Sequence, residues 1–364
     1  MEERVYAFWL HTLHGIGLRK ASALLQVYDT VENIYHGNKN RLSDIPCLNE
    51  KDKENLVHPA PIKNLKDELD ALEKRGIRFC WMGQEDYPVK LREIPDAPFG
   101  LFYRGHLPLQ NRPVVAVVGG RNASHESREI ARSFGRQLAE NGISVVSGLA
   151  QGVDISAQRG ALEIPGGRTY AVLGNGIDIC FPRQHIEPFM QMQQKGGVIS
   201  EYPPGTPGLA GNFAFRNRII SGLSDGVLVI GAREGSGSLI TAECALEQGR
   251  EVFVVPGKIT DTAYAGGNKL LKSGAAVVTD IQDILDGLGL FLDDNVSSRK
   301  KKNKVMLETT EKMVYAILGF DGIHISEIVG RTGITVPDAM EALLSLERKQ
   351  LIVMVGQHYY ALRL

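Results

Sequence analysis

The sequence predicts an α/β chain built on a Rossmann-like, mostly parallel sheet, with a helical domain before it and a winged helix after it. Three observations lead there. Between about 77 and 290, short apolar runs recur without polar alternation, each followed by a helix-period stretch, as parallel strands covered on both faces require. The first 76 residues carry helical periodicity alone. Near the end, three helical stretches precede one hairpin.

The elements follow in chain order. In 1–76, Phe8, Leu10 and Leu13 lead into GIGLRKASALL, and the charged helix LKDELDALEKRG stops at Gly76. Gly15-Ile16-Gly17, between two amphipathic helices, is similar to a helix-hairpin-helix turn, whose amides could meet a DNA phosphate; the competing reading is a helical packing domain. A second such turn near Ile45-Pro46 has Cys47-Leu48 where glycine is needed, which favours packing. The core, 77–292, alternates VVAVVG, SREIARSFGRQLAENG, ISVVSG, VDISAQRGALE and TYAVLG, then DGVLVIG, ITAECALEQG and EVFVVPG. The stretch 293–306 contains SSRKKKNK, lacks apolar periodicity and reads as a solvated linker. In 307–364, TTEKMVYAILG, HISEIVGRTG and PDAMEALLSLERKQ give three helices, and LIVMVGQHYYAL a hairpin turning near Gly356-Gln357. The third helix sets Asp338, Glu341 and Glu347 against Arg348 and Lys349, a poor composition for phosphates, so packing or partner binding is expected there.

Composition narrows the function classes. A chain of 364 residues with 43% hydrophobic content has material for two or three domains. The net charge of -1 attracts no nucleic acid as a whole, so any such role needs a local basic cleft. Cys47, Cys80, Cys180 and Cys244 lie far apart with no C-x-x-C pair, against a zinc site or disulfide framework and in keeping with a reducing cytoplasm. No run is long and apolar enough for a membrane span, and the acidic start MEER is unlike a signal peptide.

The chemistry concentrates where strands end. Gly119-Gly120-Arg121, Ser147-Gly148, Gly174-Asn175-Gly176, Gly231 and Gly235-Ser236-Gly237-Ser238 follow apolar runs. In an open parallel sheet these turns converge, and helix starts among them favour an anion. GGRNASHES lacks the third glycine of a dinucleotide fold, VFVVPGKIT lacks the first glycine and the hydroxyl of a P-loop, and neither Ser147 nor Ser236 stands in G-x-S-x-G. A Rossmann-like small-nucleotide enzyme of the phosphoribohydrolase type is the rival class. In GSGSLITAE, however, Thr241 occupies the place of that family's carboxylate and Glu243 stands two positions late, nearly opposite on a helix.

VAVVGGRNAS, VVSGLAQGVD, AVLGNGID, FPRQH, SEYPPGT, FRNRIISGLSD, GSGSLITAECALEQGREVFVVPG and GGNKLL, in this order over about 85 to 285, resemble the DNA-processing protein A (DprA/Smf) family. Its members often carry a sterile-alpha-motif-like domain before the core and a winged helix after it. The resemblance implies a non-catalytic cytoplasmic protein that needs no cofactor or metal. Such a protein binds and protects single-stranded DNA, often as a homodimer, and promotes RecA loading in natural transformation. By motif match it implies DNA contact at Arg121, at Arg183 after Phe181-Pro182, at the Arg216-Asn217-Arg218 block and at Ser236, Gly237 and Ser238. With the strand-end turns, the expected phosphate-binding set adds Gly119, Gly120, Ser124, Ser147, Gly148, Gly174 and Asn175. Gly120, Gln158, Ala214, Gly231 and Gly267 depart from the family pattern, where serine, histidine, proline, glutamate and cysteine stand.

Several of these residues carry a second reading. Arg121 at a helix start opposes the helix dipole and so calls for an anion. Asp154 is expected to cap ISAQRGALE, and Asn175 to support a left-handed turn. Two arginines two apart, Arg216 and Arg218, cannot face the same way in a helix, so one of them suits a buried ion pair.

Overall fold

The computed structural model describes residues 2–290, 307–349 and 351–363. The segment expected to be a linker, 293–306, lies outside the described residues.

Five helices come first: α1 (Glu2–Thr12), α2 (Leu18–Tyr28), α3 (Val31–His36), α4 (Glu50–Val57) and α5 (Ile62–Lys74). Local chemistry sets their starts. Thr30 Oγ1 accepts the Asn33 amide at 3.1 Å, and Asn49 with Asp52 forms a reciprocal capping box at α4. Their apolar faces join the sheet: Phe8 lies edge-on to Phe79 and Phe102, and His11 Nε2 is 2.8 Å from the Glu201 carbonyl oxygen. The turn at Gly15 is covered by Lys20, which bonds the Gly15 carbonyl and pairs with Asp52 at 2.7 Å.

The core continues through β1 (Arg78–Trp81), α6 (Val89–Arg92), β2 (Gly100–Gly105), β3 (Val114–Gly119), α7 (His125–Glu140), β4 (Ser144–Ser147), α8 (Val153–Glu163), β5 (Thr169–Leu173), α9 (Ile186–Lys195) and β6 (Gly197–Ser200). It closes with α10 (Ala210–Gly222), β7 (Gly226–Ile230), α11 (Gly237–Glu247), β8 (Glu251–Val254), α12 (Ala265–Lys272), β9 (Ala276–Val277) and α13 (Ile281–Gly287). The nine strands stand in the order β1-β2-β6-β5-β4-β3-β7-β8-β9. The ladders from β6 to β9 are parallel, while β1 and β2 add an antiparallel edge. The apolar runs of β3 serve two cores at once. Val115 and Val117 pack with α7 and α8, whereas Ala116 and Val118 pack with α10 and α11. Burial on both faces is why the run shows no polar alternation.

The C-terminal unit has its own core of Val314, Ile328, Leu343, Leu346, Ile352 and Tyr360. It comprises α14 (Thr309–Ile317), β10 (Ile323–His324), α15 (Ile325–Thr332), α16 (Val336–Arg348), β11 (Ile352–Gly356) and β12 (Tyr359–Leu362), with strand order β10-β12-β11. Three helices and a hairpin with a short third strand make a winged helix. Among the described residues, no helix is long and apolar enough to cross a membrane, and no cluster of three or more His, Cys, Asp and Glu could hold a metal. The four cysteines are free.

Candidate functional site

A cleft of about 520 Å³ opens at the carboxyl ends of β3 and β7. From β3 the chain builds β4, β5 and β6 to one side and then crosses over to β7, β8 and β9 on the other. The cleft thus occupies the point where strand order reverses, and loops from both directions diverge there.

Backbone forms one wall. A Cβ on Gly119 would collide with the Ile230 carbonyl and with Val153, and one on Gly120 would stand 2.8 Å from the Gly231 carbonyl oxygen. Glycine is what lets the two strand ends lie so close. Arg121 follows, exposed at the mouth.

The opposite wall is the start of α11. Ser236 caps it, accepting the Ser238 amide at 3.3 Å, and the two hydroxyls lie 2.7 Å apart. Asn217 Nδ2 donates to the Gly237 carbonyl at 3.0 Å, which pins this loop to α10. A helix start dressed with hydroxyls is suited to an anion.

The floor is charged and buried. Arg216, only 4% exposed, donates to the carbonyls of Gly148 (3.1 Å) and Val172, and its Nε has no partner. Asp154 lies beside it and accepts the Gly148 amide at 3.0 Å. Burial raises the Asp154 carboxyl, with Arg216 and the surrounding donors opposing that rise. Burial lowers Arg216 to about 10, which leaves it cationic at neutral pH.

Of the expected set, Gly119, Gly120, Arg121, Arg216, Asn217, Ser236, Gly237 and Ser238 line this cleft. The others do not, for identifiable reasons. Arg218 is buried and its guanidinium is engaged by Glu201, two bonds of 2.9 Å, by Asp96 at 3.2 Å and by the Phe215 ring at 3.8 Å, so it is the ion-pair arginine of the block. Ser147 is fully buried and donates to the Val117 carbonyl. The Gly148 amide is taken by Asp154 and its carbonyl by Arg216. Gly174 is packed against Phe213. Asn175 has no positive φ; its buried side chain instead donates to the Gly176 and Ile179 carbonyls, tying the loop together. Ser124 caps α7 by accepting the Ser127 amide at 3.1 Å, and it faces a different depression. Arg183 is exposed outside the cleft, where neighbouring Phe181 meets Phe213 at 5.6 Å.

Three corrections concern residues read differently or missed. Asp154 does not cap α8, whose N-cap is Gly152; it sits in the first turn, accepts the Gly148 amide and offsets the charge of Arg216. Arg233 and Glu234, between β7 and α11, line the cleft mouth, and their only sequence signal was position beside the GSGS turn. The cleft therefore contains two carboxylates beside its amides, hydroxyls and arginines. Asp154 is locked by its partners, and Glu234 is exposed on a loop. Glu243 of α11 is exposed and outside the cleft.

Residues 78–289 match the sequence profile of the family described as DNA recombination-mediator protein A. The chain belongs to this family. Residues 299–355 also match the DprA winged helix domain. The chain is similar to protein Smf of Escherichia coli K12, 38% identical over 310 residues, covering 83% of this chain and 82% of that protein. It is 45% identical over 199 residues to DNA processing protein DprA of Streptococcus pneumoniae, covering 55% and 70%. Among solved structures, DNA processing protein A from Streptococcus pneumoniae superposes with a TM-score of 0.66 at 35% identity, over 79% of this chain and 97% of that one. DNA processing protein A from Helicobacter pylori, in a structure described as giving insights into its unique single-stranded DNA binding mode, superposes at 0.52 and 31% identity, over 58% and 95%. DprA family membership thus agrees with the fold, with the winged helix and with a role in DNA processing.

Proposed function

We propose that the cleft binds the sugar-phosphate backbone of single-stranded DNA, and that the chain acts as a non-catalytic strand-binding protein. The observation that carries this reading is the meeting, at the switch point, of the β3 glycine turn with Arg121, the hydroxyl-bearing start of α11 and the buried cation Arg216. Amides, hydroxyls and guanidinium groups hold a phosphate without reacting with it. The single-stranded DNA binding mode described for the Helicobacter pylori relative supports the same reading. A small-nucleotide enzyme is less well served: of the two carboxylates in the cleft Asp154 is committed and Glu234 stands exposed on the mouth loop, and Glu243 is outside the cleft. Protection of incoming strands, homodimer formation and hand-off to RecA extend this proposal from the family resemblance.

The test is Arg121→Ala, with binding to oligo-dT and to mixed-sequence strands read by fluorescence anisotropy at several salt concentrations. A charge-assisted bond is worth ~1.5 to 3 kcal/mol, so affinity is expected to fall about 10- to 150-fold. The log-log salt slope is expected to flatten by about 0.7, one phosphate on a single strand. The loss is expected to be equal for both strands, because backbone contacts carry no base information. A folded Arg121→Ala chain with unchanged affinity and slope would refute the assignment.

A further inference from the structure

The winged helix stands beside the cleft. The turn before β10 presents Phe320 and Asp321 to the core across a gap of about 530 Å³, whose far wall is the start of α7 at His125 and the loop after β8 at Lys258. This gap adjoins the cleft. Ala123 and Ala263 line the cleft, and their chain neighbours Ser124 and Tyr264 line the gap. The partition between the two is the hydrogen bond of 2.9 Å that joins the Ser127 and Tyr264 hydroxyls. A strand that fills the cleft and continues past the start of α7 therefore meets the winged helix.

The contact is of a kind that opens. The winged helix has an apolar core of its own, and an ion pair of 3.5 Å ties its Asp321 to Lys258, with side chains 88% and 69% exposed. A pair so exposed shifts an equilibrium by no more than about fivefold. A lasting domain contact is large and apolar, whereas this one encloses a gap at whose edge His125 Nε2 is buried without a hydrogen-bond partner. The Asp321 carboxylate holds Lys258 as a phosphate would. From 307 to 363, seven Asp and Glu stand against five Lys and Arg, so the unit behind Asp321 repels a strand. Resting on the strand-binding reading above, we propose that the winged helix guards the cleft: Asp321 latches it over Lys258, and a single strand displaces it to run out along the start of α7.

The experiment compares the full chain with Asp321→Ala, with the charge swap Lys258→Asp plus Asp321→Lys, and with Glu341→Ala, which removes an exposed carboxylate of α16 outside the gap. Without DNA, hydrogen exchange of 256–264 and 319–322 is expected to quicken about two- to fivefold in Asp321→Ala and to return to the parent rate in the swap. Asp321→Ala is expected to bind oligo-dT about two- to fivefold more tightly, because the open fraction rises by that factor. Glu341→Ala is expected to match the parent, and adding oligo-dT to the parent to quicken exchange at 319–322. An equal gain from Glu341→Ala would reduce the effect to general charge and overturn the proposal. Slower exchange at 319–322 on adding oligo-dT would overturn it as well, by making the winged helix part of the grip. If all chains bind oligo-dT equally, the guard alone fails; if none binds it, the strand-binding reading fails and the guard falls with it.

Discussion

Arg218 and Arg121 are both arginines of a DNA-processing protein, yet the structure gives them opposite predictions. Arg218→Ala is expected to damage the fold and leave the cleft chemistry alone. Its guanidinium is 5% exposed and is held by both oxygens of Glu201, itself only 16% exposed. Removing one member of such a buried pair strands the other charge, at a cost of about 3 to 5 kcal/mol. Asp96 is 55% exposed and is solvated cheaply once released, which places the loss near the lower end. The contact with the Phe215 ring adds ~0.5 to 1 kcal/mol. The sum is about 3 to 4 kcal/mol, a large share of the ~5 to 15 kcal/mol typical of a folded domain. Urea unfolding followed by fluorescence is a direct readout, because both tryptophans, Trp9 and Trp81, are buried in the cluster that joins α1 to β1 and β2. Under conditions where Arg218→Ala is folded, its affinity for oligo-dT is expected to match the parent chain. A stability loss below ~1 kcal/mol, too small for a broken buried pair, would refute this reasoning. So would weakened DNA binding at an unchanged unfolding midpoint, and Arg218 would then be a phosphate ligand.

Two other perturbations follow from local geometry. Hydrogen bonds from Lys349 hold the Glu311 carboxyl down to about 2, against an ordinary 4.5, so the folded pKa is depressed; the stabilisation of the winged helix is full above about 4.5 and disappears as pH falls toward 2. Hydrogen exchange of α14 and α16 across that window is expected to show steep loss of protection in the parent chain and a flatter profile in Glu311→Gln. Gly119→Ala forces a Cβ onto the Ile230 carbonyl and is expected to cost about 1 to 3 kcal/mol in thermal melts, as overpacking does. Gly211→Ala, where nothing lies within 4 Å, is the neutral control.

The parallel strands were legible because a strand buried on both faces writes itself as an unbroken apolar run, as VVAVVG does for β3. The antiparallel edge was not. RFCW of β1 and GLFYRG of β2 each carry arginine, and β2 pairs with β6, nearly a hundred residues later in the chain. The cleft was legible in its glycines and serines, since turns at the carboxyl ends of parallel strands must meet. What sequence could not show is which polar groups are already spent. Ser147 and Ser236 both follow apolar runs, but Ser147 is the last residue of β4 and turns inward to Val117, whereas Ser236 caps α11 and lies against Ser238. Arg216 and Arg218 were separable in principle by helical spacing, yet choosing the ion-pair member required Glu201, which belongs to another element. Arg233 had no periodicity to mark it, because its position comes from a loop.

The position of the cleft between β3 and β7 also sets a clock. Its two walls, Gly119 to Arg121 and Ser236 to Ser238, are separated by more than a hundred residues of chain, and four strands with their crossover helices lie between them. While the chain is being synthesised, β3 to β6 can assemble with one wall in place and the other still unmade. Arg216 has its floor partners Gly148, Asp154 and Val172 ready before α11 exists. The second wall arrives only when β7 inserts beside β3 and carries the start of α11 across the gap. A nascent chain therefore holds six of the nine strands and one wall of the cleft before the second wall exists, and completes the cleft in one late step.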